Sequence, residues 1–200
     1  MSPVARDEPQ IVLIRHAETE WTITHQHTGR TDIPLTDRGR DGARSLAVTL
    51  AGHDFGLVLV SPSLRSRETC ELAGLGAQGV PSEDLLEWDY GDYDGLTTAQ
   101  IEARQPGWNQ WLDGCPGGEQ PADVGLRADR AINAAVASPG PVAVFSHGHL
   151  LRVLGARWAG LPPREGAKLG LSPGAICLLG HEHGRRIILR WNQLSPDPLA

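Results

Sequence analysis

Three short, unbroken apolar runs, at residues 11–14 (IVLI), 57–60 (LVLV) and 142–145 (VAVF), constrain this chain more than any other feature. Runs of this kind suit strands buried on both faces of a sheet, where neither side carries alternate polar residues. Each gives way to a loop and then to a helical pattern. After the first, Thr36 reads as a helix N-cap, Asp37 lies in the first turn, and Ala43, Leu46, Ala47 and Leu50 recur at helical spacing before Gly52. A hydroxyl cap, an acidic first turn and a closing glycine are ordinary helix start and stop signals. The second run leads to a helix predicted over residues 63–73 and the third to one over 149–159. Alternating strands and helices predict an α/β fold, a three-layer sandwich whose mostly parallel central sheet is flanked by helices.

Between the second and third units lie helical stretches at 98–104 and 122–137 with a Trp-rich loop between them, read as a helical and loop insertion over the active site. Residues 175–180 and 186–191, separated by Gly184, predict a late strand hairpin. Pro- and Gly-rich segments at 116–121 and 161–174 read as surface loops, and 195–200 as a loose end. At 200 residues, with 40% hydrophobic and 21% charged side chains, the chain is expected to form one domain over residues 1–200.

Charge and composition exclude several classes of function. The 18 basic and 24 acidic residues leave a formal charge of −6, Lys168 is the only lysine, and the arginines are scattered rather than striped. Nucleic acid is therefore not expected as a partner, since binding its backbone normally requires a basic surface. No apolar run approaches the ~20 residues needed to span a bilayer, and residues 1–10 lack the apolar stretch of a secretory signal. No membrane association is expected, and the cytoplasm is the expected compartment. Cys70, Cys115 and Cys177 are an odd count without CxxC spacing, which argues against a disulfide framework or a thiolate metal site. The sequence does not set the oligomeric state; a homodimer stays open.

Open parallel sheets bind ligands at the carboxyl ends of their strands. Arg15 and His16 follow the first run, Ser61 and Arg65 the second, and Ser146 and His147 the third. Taken singly, each has an ordinary structural explanation: an arginine reaching solvent, a solvated helix charge, a satisfied core histidine. Together, cations brought to a partly buried crevice repel one another and lose hydration, an arrangement that calls for an anionic ligand. The helix start after Gly148 adds backbone N–H donors. Arginine's planar fork suits phosphate oxygens, and neutral imidazole is a competent nucleophile toward phosphorus. There is no P-loop pattern, so the expectation is phosphate chemistry on a small phosphorylated molecule, with neither metal nor cofactor.

Five stretches then fall in order: LIRHAETEW from Leu13, HTGRTDIPLTDRG from His27, SPSLRSRETC from Ser61, LLEWDYGDYDGLT from Leu85 and FSHGH from Phe145. The chain resembles the histidine phosphatase superfamily, the phosphoglycerate mutase-like group, and is closest in look to its acid phosphatase members. The resemblance implies that His16 accepts the phosphoryl group, that Arg15, Arg65 and His147 surround its oxygens, and that Glu87 donates the proton to the leaving group. It also implies that Thr22, Thr28, Gly29 and Gly148 border the substrate. Two positions depart from the family pattern. Ala17 replaces the usual glycine, a costly change if the backbone there needs positive φ, and Thr22 stands where many members carry asparagine.

Three His-x-His pairs, His25/His27, His147/His149 and His181/His183, invite a zinc reading, which His147's part in phosphate binding disfavours. Trp88, Trp108 and Trp111, with Tyr90 and Tyr93, either line the substrate entrance or pack the insertion. From Glu87 to Glu119 the only basic residue is Arg104, and the chain ends nine residues after Trp191. Both features suit a phosphomonoesterase better than a mutase, which must grip a second anionic group and exclude water. A mutase, a sugar-bisphosphate phosphatase and a non-catalytic phosphate-binding module are the alternatives.

Overall fold

A computed structural model describes residues 10–194. Its strands β1 (Ile11–Arg15), β2 (Leu57–Val60), β3 (Gly79–Pro81), β4 (Val142–Ser146), β5 (Ile176–Glu182) and β6 (Arg185–Gln193) form one sheet, in the order β3-β2-β4-β1-β5-β6. The β1–β4, β4–β2 and β2–β3 pairs are parallel, while β5 runs antiparallel to both β1 and β6. The three apolar runs are thus the three adjacent central strands, as their lack of polar alternation requires.

The helices are α1 (Glu20–Ile23), α2 (Asp37–Leu50), α3 (Leu64–Leu72), α4 (Thr98–Arg104), α5 (Gln110–Asp113), α6 (Pro121–Val136) and α7 (Gly148–Trp158). Side chains alternate across each central strand. Ile11, Leu13, Val142 and Val144 pack with Val124, Ala128 and Ile132 of α6 and Leu150, Leu151 and Leu154 of α7. Val12, Ile14, Val58, Val60, Ala143 and Phe145 pack on the other face with Leu46 and Leu50 of α2 and Cys70 of α3. Each buried Val, Leu, Ile or Phe side chain contributes ~1.5–3 kcal/mol by leaving water, so the two cores fix both helical layers on the sheet.

Thr36 caps α2 as expected, its hydroxyl accepting from Gly39 N at 2.9 Å. Ser63 precedes α3, but its side chain makes no cap bond; Asp32 Oδ1 instead accepts from Leu64 N at 2.7 Å. β3 was not expected, because three residues ending in proline carry almost no strand signal and fit only an edge. The late hairpin forms, but its place beside β1 was not legible, since pairing partners are set in three dimensions. The 161–174 loop contains a 3-10 turn at Pro163–Lys168. The insertion is built on Ile101, Trp108 and Cys115, which share one core with Trp88, Tyr90 and Tyr93. Among the described residues no helix is long and apolar enough to cross a membrane. The expectations for residues 1–9 and 195–200 lie outside the described residues.

Candidate active site

Strand register brings the expected residues together. Arg15 pairs with Ser146 and Val60 with Phe145, so His16, Ser61 and His147 leave the same carboxyl edge of the sheet. Two amides extend the ladder there: His16 N donates to Ser146 O and Ser61 N to Phe145 O, each at 2.9 Å. The imidazoles of His16 and His147 meet edge to face, with centroids 5.2 Å apart and planes at 62°.

His16 is 3% exposed. Its Nδ1 lies 2.8 Å from the carbonyl oxygen of Ala17. A carbonyl only accepts, so Nδ1 carries the ring proton and Nε2 keeps a lone pair. Burial, then the charges of Arg65 and Arg15, hold the imidazole well below its ordinary pKa. The result is a neutral ring with a fixed tautomer and a free nucleophilic nitrogen. Ala17 is itself buried, and among the described residues the positive-φ residues other than glycine are His25, His183 and Asn192, so alanine here carries no left-handed strain. Its N–H donates to Thr69 Oγ1 of α3 at 3.1 Å.

Arg65, 1% exposed, organises the other half of the site. Its Nε donates to His147 Nδ1 at 3.1 Å, and its terminal nitrogens donate to the carbonyls of Thr28, Gly29 and Thr31. Since Arg65 always donates, His147 carries its proton on Nε2, directed at Ser61 Oγ 2.8 Å away. Burial leads, with Arg65 next, in pushing His147 well below the ordinary imidazole range. Asp94 closes the collar around Arg65 by accepting from Gly29 N, Thr31 N and Thr31 Oγ1. Thr28 and Gly29 therefore hold Arg65 through their carbonyls, and the Gly29 amide is engaged by Asp94.

Arg15 passes closely under the start of α7. A Cβ at Gly148 would lie 3.1 Å from Arg15 Cζ and 3.2 Å from its Nε, so glycine makes room for the guanidinium. One terminal nitrogen donates to Leu171 O, while Nε is buried with no hydrogen-bond partner. A buried guanidinium N–H without a protein acceptor is suited to an incoming oxyanion.

Glu87 is 5% exposed and is fixed by the first turn of α7. Oε1 accepts from Leu150 N and Trp88 N, both at 2.9 Å, and Oε2 from His149 N at 3.0 Å. Behind it stands Arg127 of α6, which the sequence reading missed. Its guanidinium forks onto Glu119 at 2.6 and 2.8 Å and donates to the carbonyls of Asp84, Leu86 and Glu87. Carbonyl partners leave no mark in a sequence; the one legible signal was an arginine on the apolar face of a predicted helix.

Thr22 does not present a spare hydroxyl. Its Oγ1 donates to Thr19 O at 2.7 Å and accepts from Thr19 N at 2.9 Å, closing the cap of α1. The acidic 87–119 segment is also less repulsive than its composition implied. Asp89 pairs with Arg30, Glu119 pairs with Arg127, and Asp94 is engaged by amides. Among the described residues no group of three or more His, Cys, Asp or Glu is placed to hold a metal ion. The aromatic residues mostly pack: Trp88, Tyr90, Tyr93 and Trp108 are buried, while Trp111 is partly exposed beneath Arg152, whose Cζ is 4.5 Å from the ring centroid.

Imidazole and guanidinium groups gathered where parallel strands end define an anion-handling α/β site. Residues 11–194 match the histidine phosphatase superfamily (branch 1), and the chain belongs to that superfamily. The acid phosphatase of Mycobacterium tuberculosis is 41% identical over 197 residues, covering 96% of each chain. A 2,3-bisphosphoglycerate-dependent phosphoglycerate mutase of Brucella melitensis is 32% identical, over 82% of this chain and 88% of its own. A solved open reading frame of M. tuberculosis superposes with a TM-score of 0.87 at 38% identity, over 92% of this chain and 97% of its own.

Proposed function

We propose that this protein is a phosphomonoesterase that moves the phosphoryl group of a small substrate first to His16 and then to water. The observation that carries this reading is the state of His16: neutral, with its proton fixed on the Ala17 side and Nε2 free near Arg15 and the buried Arg65. In the first step the Nε2 lone pair forms the N–P bond, the P–O bond to the leaving group breaks, and Glu87 protonates the departing oxygen. In the second step water attacks phosphorus, Glu87 takes its proton, and the N–P electrons return to Nε2. Arg15 and Arg65 offset the charge that gathers on the phosphoryl oxygens, the service a metal gives elsewhere.

Water as acceptor is supported by the higher similarity to an acid phosphatase than to a mutase. The acidity of the 87–119 segment lends less, because much of it is paired. We place the enzyme in the cytoplasm, a reading supported by three buried free thiols, each pushed up to about 12 by burial.

The test is incubation with 3-phosphoglycerate, with and without 2,3-bisphosphoglycerate as primer, followed by assay of free phosphate and 2-phosphoglycerate. Phosphate, or no reaction, is the expected outcome, alongside phosphate release from other monoesters. Primed interconversion faster than phosphate release from the best monoester replaces the reading with a mutase.

A further inference from the structure

Glu87 has a neighbour that works against a proton donor unless its charge is controlled. His149 Nδ1 lies 4.0 Å from Glu87 Oε2. An imidazolium there would form an ion pair with the carboxylate and oppose its protonation. The same Nδ1 is 2.5 Å from the hydroxyl of Tyr90, a side chain only 1% exposed. Burial, reinforced by Glu87, keeps that phenol well above its ordinary pKa, so it retains a proton that it can donate to the imidazole nitrogen. With Nδ1 accepting, the ring proton of His149 sits on Nε2.

The imidazole is partly buried among side chains on several elements. Its own backbone N–H donates to Glu87 Oε2, and its ring lies 5.3 Å from Trp111 and 6.0 Å from His27 by centroids. The titratable and charged groups that act on it are Glu87, Tyr90, His27, Arg152 and Arg15, with Asp94 acting on His27 in turn. Burial, then Arg152, His27 and Arg15, favour the neutral ring, while a proton on Nδ1 would be attracted by the carboxylate 4.0 Å away.

We infer that Tyr90 and His149 are positioning residues for the proton donor: the Tyr90 hydroxyl occupies the Nδ1 lone pair of His149 and keeps a cation from forming beside Glu87. The inference rests on the reading of Glu87 as the group that protonates the leaving oxygen. Neither side chain exchanges a proton with substrate in this scheme.

Tyr90→Phe keeps the buried ring and removes the hydroxyl. In the full chain, kcat and KM are measured from about pH 5 to about pH 8 for glycerol phosphate and p-nitrophenyl phosphate. With the hydroxyl gone, a proton on Nδ1 is opposed only by burial and the nearby cations and is favoured by Glu87, so kcat on glycerol phosphate is expected to drop about tenfold near the acid end and little near the alkaline end, with KM within about twofold. The aryl substrate, which leaves without help, is expected to lose little. Adding His149→Gln to Tyr90→Phe removes the cation and is expected to restore most of the loss. A Tyr90→Phe profile like the parent's, equal losses on both substrates, or no recovery in the double variant overturns the inference. Imidazole 15N spectra of the unaltered protein check it without any variant: the Nε2–H tautomer of His149 is expected throughout the same range, and an Nδ1–H tautomer or an imidazolium contradicts it. Glu87→Gln run in parallel separates the two layers. If it discriminates between the substrates and Tyr90→Phe does not, only the pair falls; if it does not discriminate, the proton-donor reading falls and the pair with it.

Discussion

At the scale of single residues, the site is a chain of fixed hydrogen-bond directions. Ala17 O sets the tautomer of His16, and Arg65 Nε sets that of His147. The side chains involved were legible in the sequence because they follow three apolar strands and recur in five ordered motifs. The carbonyls of Ala17, Thr28, Gly29 and Thr31 that aim them were not, because a backbone oxygen looks alike at every position. For Glu87 the fixed geometry gives a clear expectation. Glu87→Gln keeps the shape of the side chain but has no proton to give, so loss should be greatest where the leaving group is poor. Turnover of a sugar or alkyl phosphate is expected to fall ~10²-fold or more, and that of p-nitrophenyl phosphate far less. Equal losses on both substrates would move the role to another carboxylate, with Asp84 and Asp89 first to be tried.

At the scale of elements, the start of α7 and the 84–90 segment form one unit, clamped by Arg127. Its pair with Glu119 is 10% and 16% exposed at the side chains, so removal of the guanidinium leaves a mostly buried carboxylate and three carbonyls without their donor. Breaking a buried pair of this kind costs ~3–5 kcal/mol. Arg127→Ala is therefore expected to lower stability by about that amount in urea unfolding, and to lower kcat as Glu87 loses its backing, with the fold retained at low temperature. Unchanged stability and unchanged kcat would remove Arg127 from the site's support. Strand and helix order were readable because β1, β2 and β4 are buried on both faces and α2 carries its own cap. The edge strand β3 was not, and neither was the docking of β5 on β1, since nothing local in those segments marks a partner.

At the scale of the whole molecule, catalysis and acid sensitivity share one cause. His16, His27, His147 and His149 all have imidazoles held below the ordinary value of 6.5, burial leading in each case, and His27 is lowered to about 4. In the unfolded chain these rings take up protons near pH 6.5, while in the fold they resist until lower pH. The unfolded state then binds more protons, so stability is lost as pH falls below about 6.5, by up to ~1.4 kcal/mol per pH unit for each ring. A falling midpoint in thermal unfolding between about pH 7 and about pH 5 is expected, and a flat or rising midpoint would mean that these rings charge inside the fold. The central claim remains the nucleophile. Rapid acid-free quench of the enzyme with 32P-labelled monoester, followed by peptide mapping and 31P spectroscopy, is expected to place phosphorus on Nε2 of His16, in a bond stable to base and labile to acid. His16→Ala is expected to fold, form no such adduct and lose nearly all activity; a phosphorylated serine or aspartate, label on Nδ1, or an active His16→Ala protein would contradict it.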